Sequence, residues 1–501
     1  MVKNRLIPAL QNSDQTPHQA MVEDLLFVRA LLEAAGLRFM LVHGNDQRPV
    51  IAVDTADATA VRAALIAGMA DEPFLIKRDA KNAGPAVRVS DGLLHLGPKD
   101  RSSIIFRPRV APEGGLTYGK EWGVRLESWI FSDDYVEAPA ESALTRRRIP
   151  ASEVVETTVE RYGHTWRTLE PMFQTVASDI TFDIDMVFSW VDGTDIEFQR
   201  ARARQMQSYV VGEGDDHAAR FRQLDELRYA LRSVHLFAPW VRRIFVVTDS
   251  PAPYWLAEHP GVTIVRSEEF FVDPSVLPTH NSQAVESQLA HIPGIAEHFL
   301  YSNDDMFFGR AVTPDMFFSP GGVTKFVEAT TRIGLGSSNT QRSGFENAAR
   351  VNRRLLEERF GVTITRHLEH CAAPIRRSVL LDLEREFPED FARTAGSRFR
   401  SATDISVTNS LYHYYALLTG NAVLQTEAKV KYVDTTMREG LVVMEKLLKK
   451  RNFDMFCLND GSFPEISAEE RAEAVRSFLD SYFPIAAPWE TTASVSHIQA
   501  G

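Results

Sequence analysis

Cysteine is almost absent from this sequence, which holds only Cys371 and Cys457 among its 501 residues. Two cysteines cannot by themselves build a disulfide framework or a metal cluster, and this scarcity agrees with a reducing compartment. Each thiol is therefore predicted to be an ordinary buried side chain.

Long apolar runs are also missing. No uninterrupted apolar segment reaches the roughly 18 residues of a membrane-spanning helix, and the N-terminal residues lack the apolar centre of a signal peptide. These absences predict a cytoplasmic protein, at most peripheral at the inner face of the membrane. The formal net charge of −12 argues against nonspecific nucleic-acid binding, so no nucleic-acid partner is expected.

The composition that remains, 44% hydrophobic and 24% charged, is typical of a globular protein. A chain of this length predicts two or three domains. Residues 1–150 mix short strand-like and helical stretches and predict a smaller N-terminal α/β domain. Prolines and the charged run Arg146-Arg147-Arg148 predict a boundary there. A helical linker over 151–180 and a catalytic domain over 181–490 are predicted to follow.

From Ile184 onward the pattern alternates strand, turn, helix and strand. This alternation predicts an α/β core in which a mixed or mainly parallel sheet is covered by helices. Ligands of such sheets lie beyond the carboxyl ends of the strands. Acidic residues follow three of the predicted strands: Asp192-Gly193, Asp249 and Asp304-Asp305. Taken singly, Asp192-Gly193 reads as a tight turn and Asp249 as a turn or helix cap.

The segment HFLYSNDDMFFG places Asn303-Asp304-Asp305 at the end of an apolar run that resumes at Met306. Adjacent carboxylates repel one another and are costly to desolvate, so a divalent cation is the simplest compensation. A Mg²⁺ or Mn²⁺ site holding a nucleotide-sugar diphosphate fits this pattern. An Asn-Asp turn between two hairpin strands fits it equally well.

A helix is predicted from Ser282 through QAVESQLAHIPG, with Asn281 or Ser282 as its N-cap. Its first amides are placed to receive a phosphate, and Glu286 lies one turn in. On the preceding helix, Glu226 and Arg228 are predicted to form an ordinary surface salt bridge.

Four ordered stretches resemble the successive blocks of the Stealth family: IDMVFSWVDGTD, DELRYALRSVHLFAPWVRRIFVVTD, LPTHNSQAVESQLAHIPGIAEHFLYSNDDMFFG and FCLNDG. That family comprises bacterial capsule-type hexose-1-phosphate transferases and the animal N-acetylglucosamine-1-phosphotransferase of lysosomal enzyme tagging. The resemblance covers about Ile184 to Gly461 and implies a nucleotide-sugar-binding catalytic core.

In the family's third block, a histidine is followed thirty positions later by an arginine and four further on by an aspartate; these fall on His370, Arg400 and Asp404. Some relatives carry a second histidine where this chain has Ala373, which leaves His370 as the stronger candidate. The nearby His367 is predicted to be a surface residue. Without the resemblance, a structural histidine and an exposed loop arginine are the ordinary interpretations.

The resemblance implies roles for these groups. A histidine can take the proton of an acceptor hydroxyl, and an arginine can fork onto phosphate oxygens. The Asn-Asp-Gly of the fourth block either completes a metal shell or forms a turn. The predicted catalytic residues are His370, Arg400, Asp404 and Asp305. The predicted substrate contacts are Asp192, Gly193, Arg228, Asn281, Glu286 and Asn303. The predicted metal ligands are Asp304, Asp305 and Asp460.

The predicted reaction moves hexose 1-phosphate from a UDP-hexose, UDP-glucose or UDP-N-acetylglucosamine, to a sugar hydroxyl of a glycan acceptor. It forms a phosphodiester and releases UMP, with Mg²⁺ or Mn²⁺ as cofactor, in capsule-like or cell-wall polysaccharide synthesis. Peripheral association with a membrane polysaccharide-export complex is also expected. Two alternatives remain: a metal-dependent glycosyltransferase that releases UDP, and a catalytically silent glycan-binding or assembly protein.

Overall fold

A computed structural model describes residues 8–81, 83–92, 100–112, 115–142, 144–193, 199–200, 224–461 and 464–491. The chain divides into two compact units, Met1–Asp179 and Ile180–Gly501. Both units combine helices with sheets, so the predicted α/β class is confirmed. Within the described ranges, no helix is both long enough and apolar enough to cross a bilayer.

The described residues of the first unit form two helices, α1 Pro17–Ala34 and α2 Ala58–Gly68. Its strands are β1 Leu10–Gln11, β2 Phe39–Val42, β3 Val50–Asp54, β4 Leu75–Arg78, β5 Val87–Arg88, β6 Ser102–Phe106, β7 Arg109–Val110, β8 Thr117–Tyr118, β9 Val124–Phe131, β10 Tyr135–Glu137, β11 Arg148–Pro150, β12 Glu156–Arg161 and β13 His164–Leu169. Eight of them form the main sheet, ordered β11-β10-β9-β6-β4-β5, which β3 joins through β9 and β2 joins through β3. Buried Leu25 and Val28 of α1 share one apolar core with Ile51 of this sheet.

The prediction of a helical linker over 151–180 is wrong. The segment forms an antiparallel hairpin of β12 and β13, in which Arg161 pairs with His164 around a two-residue turn. Tyr162 and Gly163 have φ of 53° and 73°, as a tight hairpin turn of this length requires. Trp166 of β13 is buried in the core of the first unit, so the hairpin belongs to that unit rather than to a linker.

In the described part of the second unit, the helices are α3 Glu226–Phe237, α4 Ser267–Phe270, α5 Ser282–Glu286, α6 Gly344–Phe360, α7 Arg377–Glu386, α8 Pro388–Ala395, α9 Tyr412–Leu418, α10 Arg438–Lys450 and α11 Ala468–Tyr482. A π-helical turn, Val407–Leu411, leads directly into α9. The strands are β14 Ile184–Ser189, β15 Ile244–Val247, β16 Val262–Val265, β17 His298–Asn303, β18 Met306–Phe308, β19 Thr324–Phe326, β20 Glu328–Arg332, β21 Arg366–Leu368, β22 Ala373–Arg376, β23 Ala422–Leu424, β24 Val430–Asp434 and β25 Met455–Asn459.

A five-stranded sheet, ordered β16-β15-β14-β17-β22, forms the centre of this unit. The first four strands are parallel, and β14 is buried over five consecutive residues, as expected for a strand covered on both faces. Ser189 lies opposite both Val247 and Asn303, so these strands end together. We call this the carboxyl edge. Because β22 runs antiparallel to β17, the residues that precede Ala373 reach the same edge.

A second sheet, ordered β18-β25-β24, begins immediately beyond the carboxyl edge. Only Asp304 and Asp305 separate β17 of the first sheet from β18 of the second. Met306 pairs with Cys457 of β25, and Cys457 pairs with Tyr432 of β24. The predicted burial of both cysteines is confirmed.

Candidate active site

The loops that follow β14 and β15 are tied to each other. Trp190 N donates to Val247 O at 3.1 Å, and Asp192 N donates to Ser250 Oγ at 2.8 Å. The carbonyl of Gly193 accepts from Gln199 Nε2 at 2.8 Å. Asp192 and Gly193 therefore lie at the carboxyl edge, where the strand pattern predicts them. The chain immediately beyond, 194–198, lies outside the described residues.

Asp249 is exposed, and its Oδ1 accepts from Ser267 N, the first residue of α4, at 2.8 Å. This hydrogen bond confirms its interpretation as a helix cap. The prediction that its strand end lies beside Asp192 is confirmed as well, through the parallel pairing of β14 and β15.

Asp304 and Asp305 form a turn, but not the turn of a hairpin, because β17 and β18 belong to different sheets. Asp305 Oδ2 accepts a hydrogen bond from Cys457 Sγ at 3.4 Å. Asp305 Oδ1 is buried and has no hydrogen-bond partner in the described part of the chain. Burial raises the pKa of Asp305 to about 6, and the nearby charge of Asp460 acts in the same direction.

Asp460 is engaged elsewhere. Its Oδ1 pairs with the guanidinium of Arg471, a side chain that is only 4% exposed, and accepts from Thr435 Oγ1 at 3.0 Å. Across the described residues, no three His, Cys, Asp or Glu side chains are grouped to hold a metal ion. The structure thus places Asp304 and Asp305 in one turn. Asp460 instead forms an ion pair with Arg471, a buried arginine that needs a counter-charge.

Asn281 caps α5, since its Oδ1 accepts from Gln283 N at 3.1 Å. Its Nδ2 donates to Asp404 Oδ2 at 2.8 Å. Asp404 is fully buried and also accepts from Ser397 Oγ at 2.7 Å and Ser401 N at 2.8 Å, while burial raises its pKa. Asp404 therefore fixes the loop that carries Arg400 rather than facing a substrate.

The helix that begins at Ser282 is shorter than predicted, since α5 ends at Glu286 and a 3₁₀ turn, Leu289–His291, follows. The side chain of Ser287 donates to Ala284 O at 2.7 Å, a local bond that competes with helix continuation. A helix of five residues whose cap already binds an amide offers no phosphate site at its N terminus.

Arg400 reaches back to this short helix, where its Nη2 donates to Ser282 Oγ at 2.9 Å. Glu286, at the other end of α5, is buried and accepts from Thr408 Oγ1 at 2.7 Å, and burial raises its pKa. Burial also raises the pKa of Tyr301 well above its ordinary value; the charges of Glu286 and Asp304 add to the rise, whereas Arg400 opposes it. These four groups are therefore electrostatic neighbours. Tyr301 also donates to Asn303 Oδ1 at 3.2 Å.

His370 immediately precedes the strand partner of β17 and so lies at the carboxyl edge, partly buried. Its ring is 5.5 Å from that of Tyr432 and 6.2 Å from that of Phe345, measured between centroids. Burial lowers the pKa of His370, and the nearby His367 lowers it further. The imidazole is therefore neutral near pH 7 and able to accept a proton.

The prediction that His367 is a surface residue is wrong. His367 lies in β21, is only 9% exposed, and stacks on Phe345 with 4.7 Å between ring centroids. Aromatic stacking accounts for a histidine in this position, because it buries the ring without requiring charge.

The predicted surface pair of Glu226 and Arg228 is also wrong, because residues two apart do not face each other on a helix. Arg228 Nε instead pairs with Glu490 Oε2 at 2.5 Å, and Arg232 binds the same carboxylate. Glu226 is buried and accepts from Leu224 N at 2.6 Å. Arg228 thus pairs with a structural carboxylate near the end of the described chain.

Several side chains that complete this region carry no distinctive local signal in the sequence. Hydroxyl and aromatic residues within strands and helices look like core positions until the topology places them. The most important are Tyr301, Phe345, Thr408 and Tyr432. A pocket beside Asn303 has mixed polar and apolar walls, and its polar lining includes Lys325, Glu369, Thr408, Asn409, His413 and Gln425.

Four family models match the chain, described as Stealth protein conserved regions 1 to 4; they cover residues 182–209, 220–326, 369–417 and 445–497. Exopolysaccharide phosphotransferase CpsY of Mycobacterium tuberculosis is 58% identical over 483 residues, which are 96% of this chain and 90% of that protein. This chain belongs to the Stealth family. The exopolysaccharide phosphotransferase of Nocardia farcinica is 54% identical over 95% of this Stealth chain and 89% of its own length.

Among solved structures, the galactosyltransferase LgtC in complex with donor and acceptor sugar analogs is similar at 12% identity and a TM-score of 0.30. The match covers 60% of the Stealth chain and 96% of that one.

Proposed function

We propose that this Stealth-family chain transfers hexose 1-phosphate from a UDP-hexose to a hydroxyl of a glycan acceptor. A phosphodiester forms and UMP leaves. Relatives named exopolysaccharide phosphotransferases support a phosphotransferase that acts in polysaccharide synthesis. The observation that carries the proposal is that Asp304 and Arg400 both act on Tyr301, while His370 lies three residues before the strand partner of Tyr301, at the same carboxyl edge.

The donor is assigned to the carboxyl edge, which is where α/β sheets bind nucleotides. Asp192, Gly193 and Asn303 belong to the ends of two paired strands and are the proposed contacts for the donor. Arg400 is the proposed partner of the pyrophosphate oxygens, since a guanidinium forks onto phosphate and remains charged throughout the reaction. Its hydrogen bond to Ser282 fixes the direction in which it points.

A divalent cation is part of the proposal. Asp305 Oδ1 is buried without a hydrogen-bond partner in the described residues, and Asp304 is adjacent in the same turn. Mg²⁺ binds well to one or two carboxylates together with substrate phosphates, so these two residues fit it. Bound there, Mg²⁺ or Mn²⁺ supplies positive charge to the pyrophosphate oxygens. Asp460 is left out of this ligand set because Arg471 holds it.

His370 is the proposed general base. The oxygen of the acceptor hydroxyl attacks the β-phosphorus, and its proton passes to the neutral imidazole. The bond from the β-phosphorus to the bridging oxygen breaks, and that oxygen leaves with UMP. Arg400 stabilises the charge on the equatorial phosphate oxygens, a contribution of about 10²–10³ in rate for a contact of this kind.

Four of the predicted site residues are assigned a supporting role instead of substrate contact. Asp404 and Asn281 hold the loop of Arg400 against α5. Glu286 is buried against Thr408 and acts on its surroundings through charge. Arg228 supports the fold through Glu490.

Identification of the released nucleotide tests the proposal against its closest rival. The purified enzyme is incubated with Mg²⁺, a glycan acceptor and either UDP-glucose or UDP-N-acetylglucosamine. Stoichiometric UMP and a ³¹P phosphodiester signal in the product are expected. Stoichiometric UDP with a phosphorus-free glycan would establish a glycosyltransferase, and binding of glycan without any turnover would establish a silent binding protein.

The proposed setting is the cytoplasm, with peripheral attachment to a membrane polysaccharide-export complex. Cell fractionation tests this setting: part of the protein should sediment with membranes and be released by high salt. A pool released only by detergent would contradict peripheral attachment.

A further inference from the structure

Three arginines converge on one short loop beside the candidate active site. Arg342 Nη1 and Arg350 Nε both donate to Leu335 O at 3.3 Å, and Arg353 Nη2 donates to Gly336 O at 3.1 Å. Two consecutive backbone carbonyls thus gather three guanidinium groups. We call Arg342, Arg350 and Arg353 the arginine cluster.

The loop is shaped for this contact. A Cβ at Gly334 would lie 2.2 Å from Arg350 Nη2, so any larger residue would displace the guanidinium from this position. Gly336 has a φ of +79°, a conformation that other residues rarely adopt. Asn347 of α6 donates to Asn339 O at 2.8 Å and to Arg342 O at 3.1 Å, which fixes the loop on the helix.

Among the described residues, carboxylates do little to neutralise the positive charge of the cluster. In the described chain, neither Arg342 nor Arg353 has a carboxylate within ion-pair distance, and Arg350 reaches only Glu346, at 3.9 Å. The Arg350 side chain is only 6% exposed. Burial lowers the pKa of Arg350, and the charges of Arg342 and Arg353 lower it further. A buried charge of this kind is costly unless a counter-ion compensates it.

Other arginines of α6 differ in this respect. Arg354 pairs with Glu358 at 2.9 Å, and Arg359 pairs with Glu386. The helix therefore neutralises the arginines that face elsewhere and leaves the cluster open to an anion.

The cluster adjoins the residues of the proposed reaction. Phe345, in the first turn of α6, stacks on His367 and lies 6.2 Å from His370. A Cβ at Gly344 would lie 2.7 Å from Arg400 Cβ, so the start of the helix packs directly against the Arg400 side chain. The charge of Arg350 also acts on His367, lowering its pKa after burial.

We propose that the arginine cluster binds a phosphate group of a bound substrate. Guanidinium groups recognise phosphate by paired hydrogen bonds, and Arg342 and Arg353 each give the loop one of the five N–H groups that a guanidinium carries. The proximity to His370 favours a phosphodiester already present in the acceptor glycan. This assignment rests on the proposed function, in which every transfer leaves a phosphodiester in the product that serves as the next acceptor.

The test compares Arg353→Gln and the double variant Arg342→Gln/Arg353→Gln with Arg354→Gln, a matched control on the same helix. Arg350 is left in place because it is buried. Melting temperatures confirm folding. The acceptors are a hexose dimer joined by a phosphodiester and the neutral glycosidic dimer of the same sugars, each with UDP-glucose and UDP-N-acetylglucosamine as donors.

We expect the cluster variants to raise KM for the phosphodiester dimer about 10-fold or more, the effect of one lost charged contact. KM for the neutral dimer and for the donor should change less than twofold, as should every constant of Arg354→Gln. A rise in donor KM with both acceptors would assign the bound phosphate to the donor pyrophosphate instead. Constants equal to those of the control for donor and acceptors alike would overturn the proposal.

Calorimetric titration of the phosphodiester dimer into the same proteins separates this inference from the proposed function. Weaker binding to the cluster variants, in an enzyme that turns over neither donor, would retain the phosphate site and remove the proposed reaction. Turnover of a UDP-hexose with unchanged dimer affinity and unchanged kinetic constants in all variants would retain the proposed reaction and remove the phosphate site.

Discussion

Asn281 Nδ2 donates a hydrogen bond of 2.8 Å to Asp404 Oδ2, and it joins parts of the chain 123 residues apart. The same carboxylate accepts from Ser397 Oγ and Ser401 N, so its buried charge is met by three donors. The loop that presents Arg400 is thereby attached to the helix whose Ser282 receives Arg400. The position of Arg400 therefore depends on this buried contact.

Replacement of Asp404 by alanine should destabilise the second unit. Buried Asn281 and the half-buried Ser397 and Ser401 lose their acceptor, and a loss of roughly 2–4 kcal/mol in the free energy of unfolding is expected. Thr403→Ala, which removes an exposed hydroxyl from the same loop, is the control and should cost less than about 0.5 kcal/mol. Chemical denaturation measures both. Equal stability of the two variants would contradict the assigned positioning role.

Arg400→Gln should lower kcat by about 10²–10³ at unchanged melting temperature, because its charge stabilises the transferring phosphoryl group. Arg398 is exposed and two residues away, which makes Arg398→Gln a matched control. The control should remain within about twofold of the wild type. Steady-state kinetics with the preferred UDP-hexose measures both constants, and similar losses in the two variants would show that general loop charge matters instead.

His370→Gln should reduce kcat by about 10²–10⁴ without weakening donor binding, as expected for loss of a general base. The base is active when neutral, and burial lowers its pKa below the ordinary 6.5. In the wild type, kcat should therefore fall only on acidification below pH 6.5. An acidic limb centred above that pH, or its persistence in His370→Gln, would argue for another base.

The Asp304-Asp305 turn should respond to metal. Mg²⁺ at about 100 times its Kd should stabilise the protein by about 2.7 kcal/mol, or roughly 3–5 °C in melting temperature. Asp305→Asn should abolish this response, and without metal it should melt at or above the wild-type temperature, because it removes a poorly satisfied buried carboxylate. Asp249→Asn, at a neighbouring strand end, should keep the wild-type response. Melting temperatures measured in Mg²⁺ and in a chelator test this prediction, and an equal shift in Asp305→Asn and the wild type would contradict it.

His413 should make stability depend on pH. Burial lowers its pKa to about 3. As the pH falls through 6.5, His413 is therefore protonated in the unfolded chain and stays neutral in the native protein. Stability is therefore lost on acidification, by about 2 kcal/mol between pH 7.5 and pH 5. His413→Phe suits the aromatic surroundings of Phe326 and Tyr412 and should remove most of this loss. Equal acid sensitivity of the two proteins, measured by melting, would contradict this attribution.

The strand ends of the second unit could be predicted because each buried apolar run stops at a polar residue. That signal located Asp192 and the Asp304-Asp305 turn without knowledge of the fold. The hairpin over 156–169 was missed because β12 is exposed along nearly all its length, so no alternation of apolar residues marks it. The two-residue turn at Tyr162-Gly163 was its only strong local signal.

Pairings between distant segments explain the remaining differences. The local sequence around Asp460 does not predict that Arg471 is buried and forms an ion pair with it. His367 stands between Arg366 and Leu368 and looks exposed until α6 brings Phe345 onto its ring. Arg228 pairs with Glu490, which lies 262 residues later in the sequence. Contacts of this kind depend on tertiary packing, which local patterning does not encode.

The turn at Asp304 and Asp305 is also a mechanical joint. The chain leaves one sheet at Asn303 and enters another at Met306, so the angle between the sheets is set across two residues. A ligand that bridges both carboxylates stiffens this joint and passes its effect along the strand pair of β18 and β25. Occupancy of the turn should therefore slow amide exchange at Phe307 and Phe456, a buried strand pair beyond the turn.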